Sequence, residues 1–103
     1  MLILPILKTL RWNIEKNTIL LIERGITFEI VAEIIKDGKI LEVIEHPNQK
    51  KYPNQNIMII NISNYIYMVP YVETESELFL KTIIPSRKLT KLYLGSNNNE
   101  TED

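Results

Sequence analysis

The chain has 103 residues, of which 45% are hydrophobic and 24% are charged, and its formal net charge at pH 7 is −1. This length and composition predict one folded globular domain and exclude both a second domain and a disordered chain. Because the chain has no cysteine and one histidine, a disulfide framework, a thiolate zinc site and a cysteine nucleophile are excluded, and we expect chemistry without a metal or other cofactor.

Charge is unevenly distributed along the chain. The last four residues contain three of the 13 acidic residues, so the rest of the chain carries a small positive charge. Between residues 79 and 99 there are four cationic residues and no acidic one: Lys81, Arg87, Lys88 and Lys91. Such a cluster favours a polyanionic partner, although most small clusters of this kind are solvated surface.

The chain begins with an apolar segment, residues 1–7, which Lys8 and Arg11 close. No cation precedes this segment, it is too short to cross a bilayer, and it lacks the small-residue cleavage pattern of a secretory signal. We therefore interpret it as an irregular lead-in or a short strand on the core, and we predict a cytoplasmic protein without a membrane partner.

The first predicted helix covers residues 14–24. Asn13 is a suitable N-cap, and Gly25 is a residue that commonly ends a helix. Four consecutive apolar residues, 19–22, predict that this helix is buried on more than one side.

The second predicted helix follows after a tight turn. Thr27 is a suitable N-cap, and Gly38 lies just beyond the expected end of the helix. Apolar residues recur with helical spacing at Phe28, Val31, Ala32 and Ile35. The two helices are therefore expected to form an αα-hairpin.

Four strands are predicted next, over residues 40–46, 57–62, 65–72 and 78–84, where β-branched and aromatic residues are frequent. The dipeptide at 63–64 is a suitable hairpin turn between the second and third of them. Pro70 has no N–H to donate to a ladder, so the third strand must have a free edge or a bulge there.

A short basic helix is predicted to follow the fourth strand. Ser86 is a suitable N-cap, Leu89 and Leu92 are expected to face the core, and Gly95 ends the helix. The free N–H groups at the beginning of such a helix are a natural place for an anion such as a phosphate.

These elements predict an α+β fold, in which two N-terminal helices pack on one face of a four-stranded antiparallel sheet and a short C-terminal helix follows. The predicted domain covers residues 1–95. Residues 96–103, which are polar and acidic, are expected to form a flexible tail.

Three segments resemble a known family. Residues 11–17 (RWNIEKN) resemble the opening tryptophan-acid-lysine segment of BrnT-type toxins, and residues 23–29 (ERGITFE) resemble the turn that follows it in that family. Residues 83–88 (IIPSRK) resemble its closing segment. Arg24 stands where the family usually has histidine, and Thr82 stands where it commonly has arginine.

The resemblance implies the toxin of a type II toxin–antitoxin pair, with a RelE-like fold. It also implies metal-independent cleavage of RNA, either messenger RNA or ribosome-bound RNA, through attack by a 2′-hydroxyl. The implied partner is a cognate antitoxin with a ribbon-helix-helix DNA-binding end, in a hetero-oligomer that holds the toxin inactive. A fold by itself implies no activity, so these remain expectations about the site.

RNA cleavage without a metal needs a base, an acid and cations that stabilise the transition-state phosphate. His46 is the best candidate base or acid, because imidazole is the side-chain type whose ordinary pKa lies near neutrality; the alternative is a turn histidine without chemistry. Arg87 is the first candidate for phosphate stabilisation, because a guanidinium can donate hydrogen bonds to two phosphate oxygens at the same time. If Lys81 points to the open face of the sheet, it is a second cation or a base for the reaction. If it points to the edge of the sheet, it is a solubilising charge.

Further residues are candidates for RNA binding outside the chemistry: Lys50, Lys51, Tyr52, Lys88 and Lys91. The lysines would hold flanking phosphates and Tyr52 would stack on a base, although a basic loop is more often solvated surface. The tyrosines of the third predicted strand form either a second stacking platform or part of a core or interface.

Two other functions are compatible with the sequence. The chain could be a non-catalytic protein-binding module that uses the open face of its sheet, or an RNA-binding protein without nuclease activity. Expression of the first would be harmless and no RNA would be cleaved, and the second would bind RNA with a salt-dependent affinity and leave it intact.

Overall fold

The computed structural model describes residues 8–95, so the predictions for the apolar segment 1–7 and for the acidic tail 96–103 lie outside the described residues. The elements in this range are, in chain order, β1 (Thr9–Trp12), α1 (Ile14–Arg24), α2 (Phe28–Lys36), β2 (Glu42–Glu45), β3 (Gln55–Ile62), β4 (Tyr65–Glu73), β5 (Glu77–Leu80), β6 (Ile84–Pro85) and α3 (Arg87–Leu94).

The strands form one mixed sheet of six strands, in the order β1-β5-β4-β3-β2, with β6 also paired to β4. β1 runs parallel to β5, whereas the other pairs are antiparallel. The general class, α+β, agrees with the prediction. The prediction of a four-stranded antiparallel sheet is wrong. The observed sheet has two further strands, β1 and β6, and β1 pairs with β5 in parallel.

The sequence signal for β1 is weak. Its four residues alternate between Thr9 and Arg11, which are exposed, and Leu10 and Trp12, which are half-buried. A pattern this short does not distinguish a strand from a loop. Its partner in the sheet, β5, lies almost 70 residues later, with Thr9 opposite Glu77. Only the tertiary structure supplies that pairing.

The fourth predicted strand, residues 78–84, is interrupted opposite Pro70 of β4. β5 ends at Leu80, and β6 begins at Ile84 on the same edge of β4. The Lys81 N–H donates to the Pro70 carbonyl at 2.8 Å. Since the N and O of one residue point to the same side of a strand, the Pro70 nitrogen also faces this gap and has no proton to give. The predicted interruption of the ladder at Pro70 is confirmed.

Several local signals in the sequence were accurate. Asn13 Oδ1 accepts the first-turn N–H of Lys16, and Gly25 ends α1 with φ of 68°. Asn64, with φ of 67°, and Ser63, with φ of 51°, form the two-residue turn between β3 and β4. These features depend on residues close together in the chain, which is why the sequence predicts them.

The main core lies between α2 and one face of the sheet, which we call the inner face. Phe28, Val31 and Ile35 of α2 are buried, as the helical spacing predicted. They share a core with side chains of three strands, Met58, Ile60, Ile62, Val69, Tyr71, Leu78 and Leu80. Trp12 extends this core at the edge by stacking on Phe28, with ring centroids 5.6 Å apart.

α1 is much less buried than its sequence predicted. Leu20 is its one buried residue, whereas Ile14 is 78% exposed and Ile22 is 77% exposed. Ile19 and Leu21 are also exposed. The helix therefore presents an apolar face to solvent, and the predicted burial on several sides is wrong. None of the helices in residues 8–95 has the length and apolar character needed to cross a membrane.

α3 covers part of the opposite face of the sheet, which we call the outer face. Leu89 and Leu94 pack against a second cluster of buried residues, Ile57, Ile59 and Ile66. Leu92, which was expected to face the core, is 73% exposed. The Tyr93 hydroxyl donates to the Glu42 carboxylate, which raises the pKa of Tyr93 and ties α3 to β2.

Replacing Ser86 with alanine should lower the free energy of unfolding by about 1 kcal/mol, because Ser86 Oγ accepts the Leu89 N–H at 3.1 Å and so caps α3. Urea denaturation measures this change. Ser86→Asp should keep most of the stability, and Ser76→Ala, at an exposed turn residue, is the matched control. Equal stability of Ser86→Ala and the wild type would contradict this role for the cap.

Candidate active site

A cleft of about 730 Å³ opens on the outer face of the sheet, beside α3. Its size is within the range of small-molecule sites, which is about 300–1,000 Å³. Its floor consists of Gln55, Pro70 and Phe79, from the three neighbouring strands β3, β4 and β5. Because side chains alternate along a strand, Gln55 lies on the same face as Ile57, which packs under α3. The cleft is thus the part of the outer face that α3 leaves uncovered.

One wall of the cleft is formed by His46 and Tyr52, which belong to the loop between β2 and β3. The two rings are in contact, with centroids 4.4 Å apart. His46 Nδ1 accepts a hydrogen bond from the Asn48 N–H at 3.1 Å. An imidazole that accepts at Nδ1 is neutral and carries its proton on Nε2. His46 can therefore donate a hydrogen bond from Nε2, but this nitrogen has no free lone pair for proton abstraction.

The loop that carries His46 is held in place by its own hydrogen bonds. The Gln49 side-chain amide donates to the carbonyls of His46 and Gln55, at 2.9 and 3.0 Å. The Tyr52 N–H donates to the Asn48 carbonyl at 2.9 Å. These bonds close the loop across its base, so His46 and Tyr52 have a defined position relative to the sheet.

The second wall is the segment between β5 and β6, which provides Lys81, Thr82 and Ile84. Lys81 follows directly after the buried Leu80, and its Nζ lies 5.5 Å from the centroid of the Phe79 ring. The Lys81 N–H still bonds to β4, but Pro70 has no N–H to donate in return, so the pairing stops at Lys81. The sequence predicted Lys81 as a candidate, and the structure places it in the same cleft as His46.

The third wall is the beginning of α1, which contributes Glu15, Lys16 and Ile19. Ile19 lies four residues after Glu15 and three after Lys16, and residues at these spacings are neighbours on a helix surface, so the three side chains border the cleft together. Arg24, at the other end of α1, donates to the Ile83 carbonyl at 2.8 Å and fixes the helix beside the second wall. No pattern in the sequence indicated chemistry for Glu15 or Lys16, although both lie in the segment that resembles BrnT-type toxins.

The candidate residues fall into separate groups. The structure brings His46, Tyr52 and Lys81 together. Arg87, which was the first candidate for phosphate stabilisation, lies at the exposed beginning of α3 and does not line the cleft. Lys88 and Lys91 are also exposed on α3, and Lys50 and Lys51 are exposed on the loop that carries His46. Lys51 Nζ lies 5.4 Å from the Tyr52 ring centroid.

Two of the three tyrosines of β4 pack in or against the main core. Tyr71 is 1% exposed and belongs to the main core, and its burial raises the pKa of its hydroxyl. Tyr67 packs against the same core. Tyr65 touches Tyr67 edge to face, with centroids 5.7 Å apart. The alternative interpretation, that these aromatic residues belong to the core, is therefore the better one for Tyr67 and Tyr71.

The cleft carries charges of both signs. Lys16 and Lys81 are cationic, and Glu15 is the one carboxylate among the described residues that line it. The ion pairs within residues 8–95 join Lys8 to Glu73 and Arg11 to Glu77, so neither the two cleft lysines nor Glu15 has an ionic partner in that range. Within the same range there is also no group of three or more potential metal-ligating side chains.

No family model matches the chain, and no curated protein or solved structure matches it.

Proposed function

We propose that this protein is a metal-independent endoribonuclease, and that it is the BrnT-like toxin of a type II toxin–antitoxin system. The observation that carries the proposal is the position of Lys81 and His46 in one open cleft, together with Lys16 and two aromatic rings. Two cations and a hydrogen-bond donor suit a bound phosphodiester, and aromatic rings suit the bases beside it. The resemblance of three segments to BrnT-type toxins supports the same activity.

The reaction proposed is attack by the ribose 2′-oxygen on the adjacent phosphorus. It needs negative charge on the phosphate oxygens to be stabilised as the fifth bond forms. Lys81 and Lys16 supply positive charge from two walls of the cleft, and the His46 Nε2–H donates to a phosphate oxygen. No step in this scheme draws on a metal ion.

The aromatic side chains and the remaining cations bind RNA on either side of the cleaved bond. Phe79 on the floor and Tyr52 on the wall offer ring faces for stacking, which is worth about 1–3 kcal/mol per base. Lys50 and Lys51 lie beside Tyr52, and α3 carries Arg87, Lys88 and Lys91 on its exposed side. These five residues hold flanking phosphates, and they position the RNA without taking part in the chemistry.

A cognate antitoxin, with a ribbon-helix-helix DNA-binding end, is the protein partner proposed. The exposed apolar face of α1 supports a protein partner, since Ile14 and Ile22 are each more than three-quarters exposed. Ile19 belongs both to this face and to the wall of the cleft, so a partner on α1 would also obstruct the cleft. Both proteins would act in the cytoplasm, where their RNA substrate is.

We expect the purified protein to cleave single-stranded RNA in the presence of EDTA and to leave a 2′,3′-cyclic phosphate and a 5′-hydroxyl. The matched control is the same oligonucleotide with a 2′-deoxyribose at the cleaved position. It should bind with similar affinity and remain intact, because it lacks the attacking oxygen. Mass spectrometry of the products identifies the ends.

Intact RNA in this assay, with and without ribosomes, would contradict the proposal. The second candidate, a non-catalytic protein-binding module, would then be favoured by the apolar face of α1. Inducible expression separates the two in cells. A nuclease toxin arrests growth, and co-expression of the protein encoded in the adjacent reading frame relieves the arrest, whereas expression of a binding module is harmless.

A further inference from the structure

We infer that Glu15 is the general base that takes the proton from the attacking 2′-hydroxyl. This inference rests on the proposed function, and it assigns a role that neither the residue type nor the spacing of Glu15 had indicated. Three observations carry it: the position of Glu15 in the cleft, the hydrogen bonding of His46, and the absence of another carboxylate among the described residues of the cleft.

The Glu15 carboxylate is available to a bound substrate. It lies in the first turn of α1, where the helix dipole stabilises a negative charge. Its neighbour Asn13 uses its side-chain oxygen to cap the helix by accepting the Lys16 N–H at 2.9 Å. Asn13 therefore caps α1, and the Glu15 carboxylate is not needed for that role. Within residues 8–95, Glu15 also takes part in no ion pair.

The other titratable groups of the cleft are poorly suited to act as the base. His46 accepts at Nδ1 from a backbone N–H and so carries its proton on Nε2, the nitrogen that is left for a substrate. Lysine side chains are ordinarily protonated at neutral pH, and so is the tyrosine hydroxyl. Lys16, Lys81, Tyr52 and His46 are the titratable side chains that share the cleft with Glu15. Among the described residues that line the cleft, the Glu15 carboxylate is therefore the remaining proton acceptor.

The complete step can be written with these groups. A Glu15 carboxylate oxygen takes the proton of the 2′-hydroxyl, and the 2′-oxygen forms a bond to phosphorus. The bond from phosphorus to the 5′-oxygen breaks, and its electron pair stays on the 5′-oxygen, which takes a proton from the Lys81 ammonium. The products are a 2′,3′-cyclic phosphate and a 5′-hydroxyl, and exchange with water returns Glu15 and Lys81 to their starting charges.

Glu15→Gln tests the inference, because it keeps the shape of the side chain and removes its ability to take a proton. We expect kcat to fall about 100-fold or more, with KM little changed, which is the typical loss for a general base. Glu23→Gln is the matched control, since Glu23 is exposed on the same helix and does not line the cleft. Circular dichroism and the affinity for the 2′-deoxy oligonucleotide show that the variant is folded and binds RNA.

The pH dependence of kcat provides a second readout. With a carboxylate base, the rate of the wild type should rise with pH as the carboxylic acid loses its proton, and this rise should be absent in Glu15→Gln. A rise centred near pH 6.5 would instead indicate an imidazole base and overturn the inference.

The outcomes separate the two proposals. If the wild type cleaves RNA and Glu15→Gln retains activity within threefold, Glu15 is not the base and the nuclease function stands. If Glu15→Asp, which keeps the carboxylate on a shorter stem, recovers activity that Glu15→Gln has lost, the inference is supported. If the wild type cleaves no RNA, the proposed function is wrong and the role of Glu15 is rejected with it.

Discussion

Replacing Phe28 with alanine is expected to lower the free energy of unfolding by about 3–5 kcal/mol, which is the usual cost of removing a buried phenylalanine. Phe28 has 0% exposure at the first turn of α2, and its ring stacks on Trp12 with centroids 5.6 Å apart. Its N–H also donates to the Asn17 side chain of α1 at 2.7 Å. The smaller side chain would leave a cavity where α1, α2 and β1 meet.

Urea or thermal denaturation measures this loss, and Ile22→Ala is the matched control. Ile22 is apolar but 77% exposed, so its replacement should change the free energy of unfolding by less than about 0.5 kcal/mol. A domain of this size is typically stable by about 5–15 kcal/mol, so the Phe28 variant should unfold at a clearly lower temperature. A loss below about 1 kcal/mol would mean that this side chain is not packed in the core.

Replacing Lys81 with methionine is expected to reduce the rate of RNA cleavage about 1,000-fold and to leave the fold intact. Methionine keeps most of the length of the side chain and removes its charge. Removing one preorganised group that stabilises transition-state charge typically costs about 100–1,000-fold, and Lys81 also gives the proton to the leaving oxygen in the scheme above. Lys81 is exposed, so little stability depends on it.

Two other substitutions make this prediction specific. Lys36→Met removes an exposed charge at the end of α2, outside the cleft, and should leave the rate unchanged. Arg87→Met should weaken RNA binding and reduce its salt dependence, with a much smaller effect on kcat. If Arg87→Met abolished cleavage while Lys81→Met did not, the chemistry would belong to the N-terminus of α3 and not to the cleft.

The position of Lys81 depends on Pro70, a residue of the neighbouring strand β4. Pro70 interrupts the ladder of β4, and the chain leaves the sheet after Lys81, which lies opposite Pro70, before β6 resumes the pairing. The sequence indicated an interruption at Pro70. It did not indicate which segment would lie opposite, because that depends on the register of β4 against β5.

The assignment of His46 also changed with the structure. From the sequence it was a candidate base or acid, on the strength of the residue type alone. The hydrogen bond from the Asn48 N–H to Nδ1 leaves it a proton donor at Nε2. This detail comes from the conformation of the loop, and no spacing of residues in the sequence predicts it.

The sequence by itself determined the local features of this protein: the bounds of α1 and α2, the caps at Asn13 and Ser86, and the turn at 63–64. Each of these depends on the backbone preference of a residue and on neighbours within a few positions. Side-chain spacing likewise identified the buried face of α2.

Only the tertiary structure decided the parallel pairing of β1 with β5, the exposure of α1 and the composition of the cleft. Apolar residues at 19–22 predict burial, but burial needs a neighbouring surface, and the inner face of the sheet is occupied mainly by α2. The cleft joins residues from positions 13 to 84, whose proximity depends on pairings between distant segments. Local sequence carries no information on such pairings, because their free energy is gained only when the whole sheet is assembled.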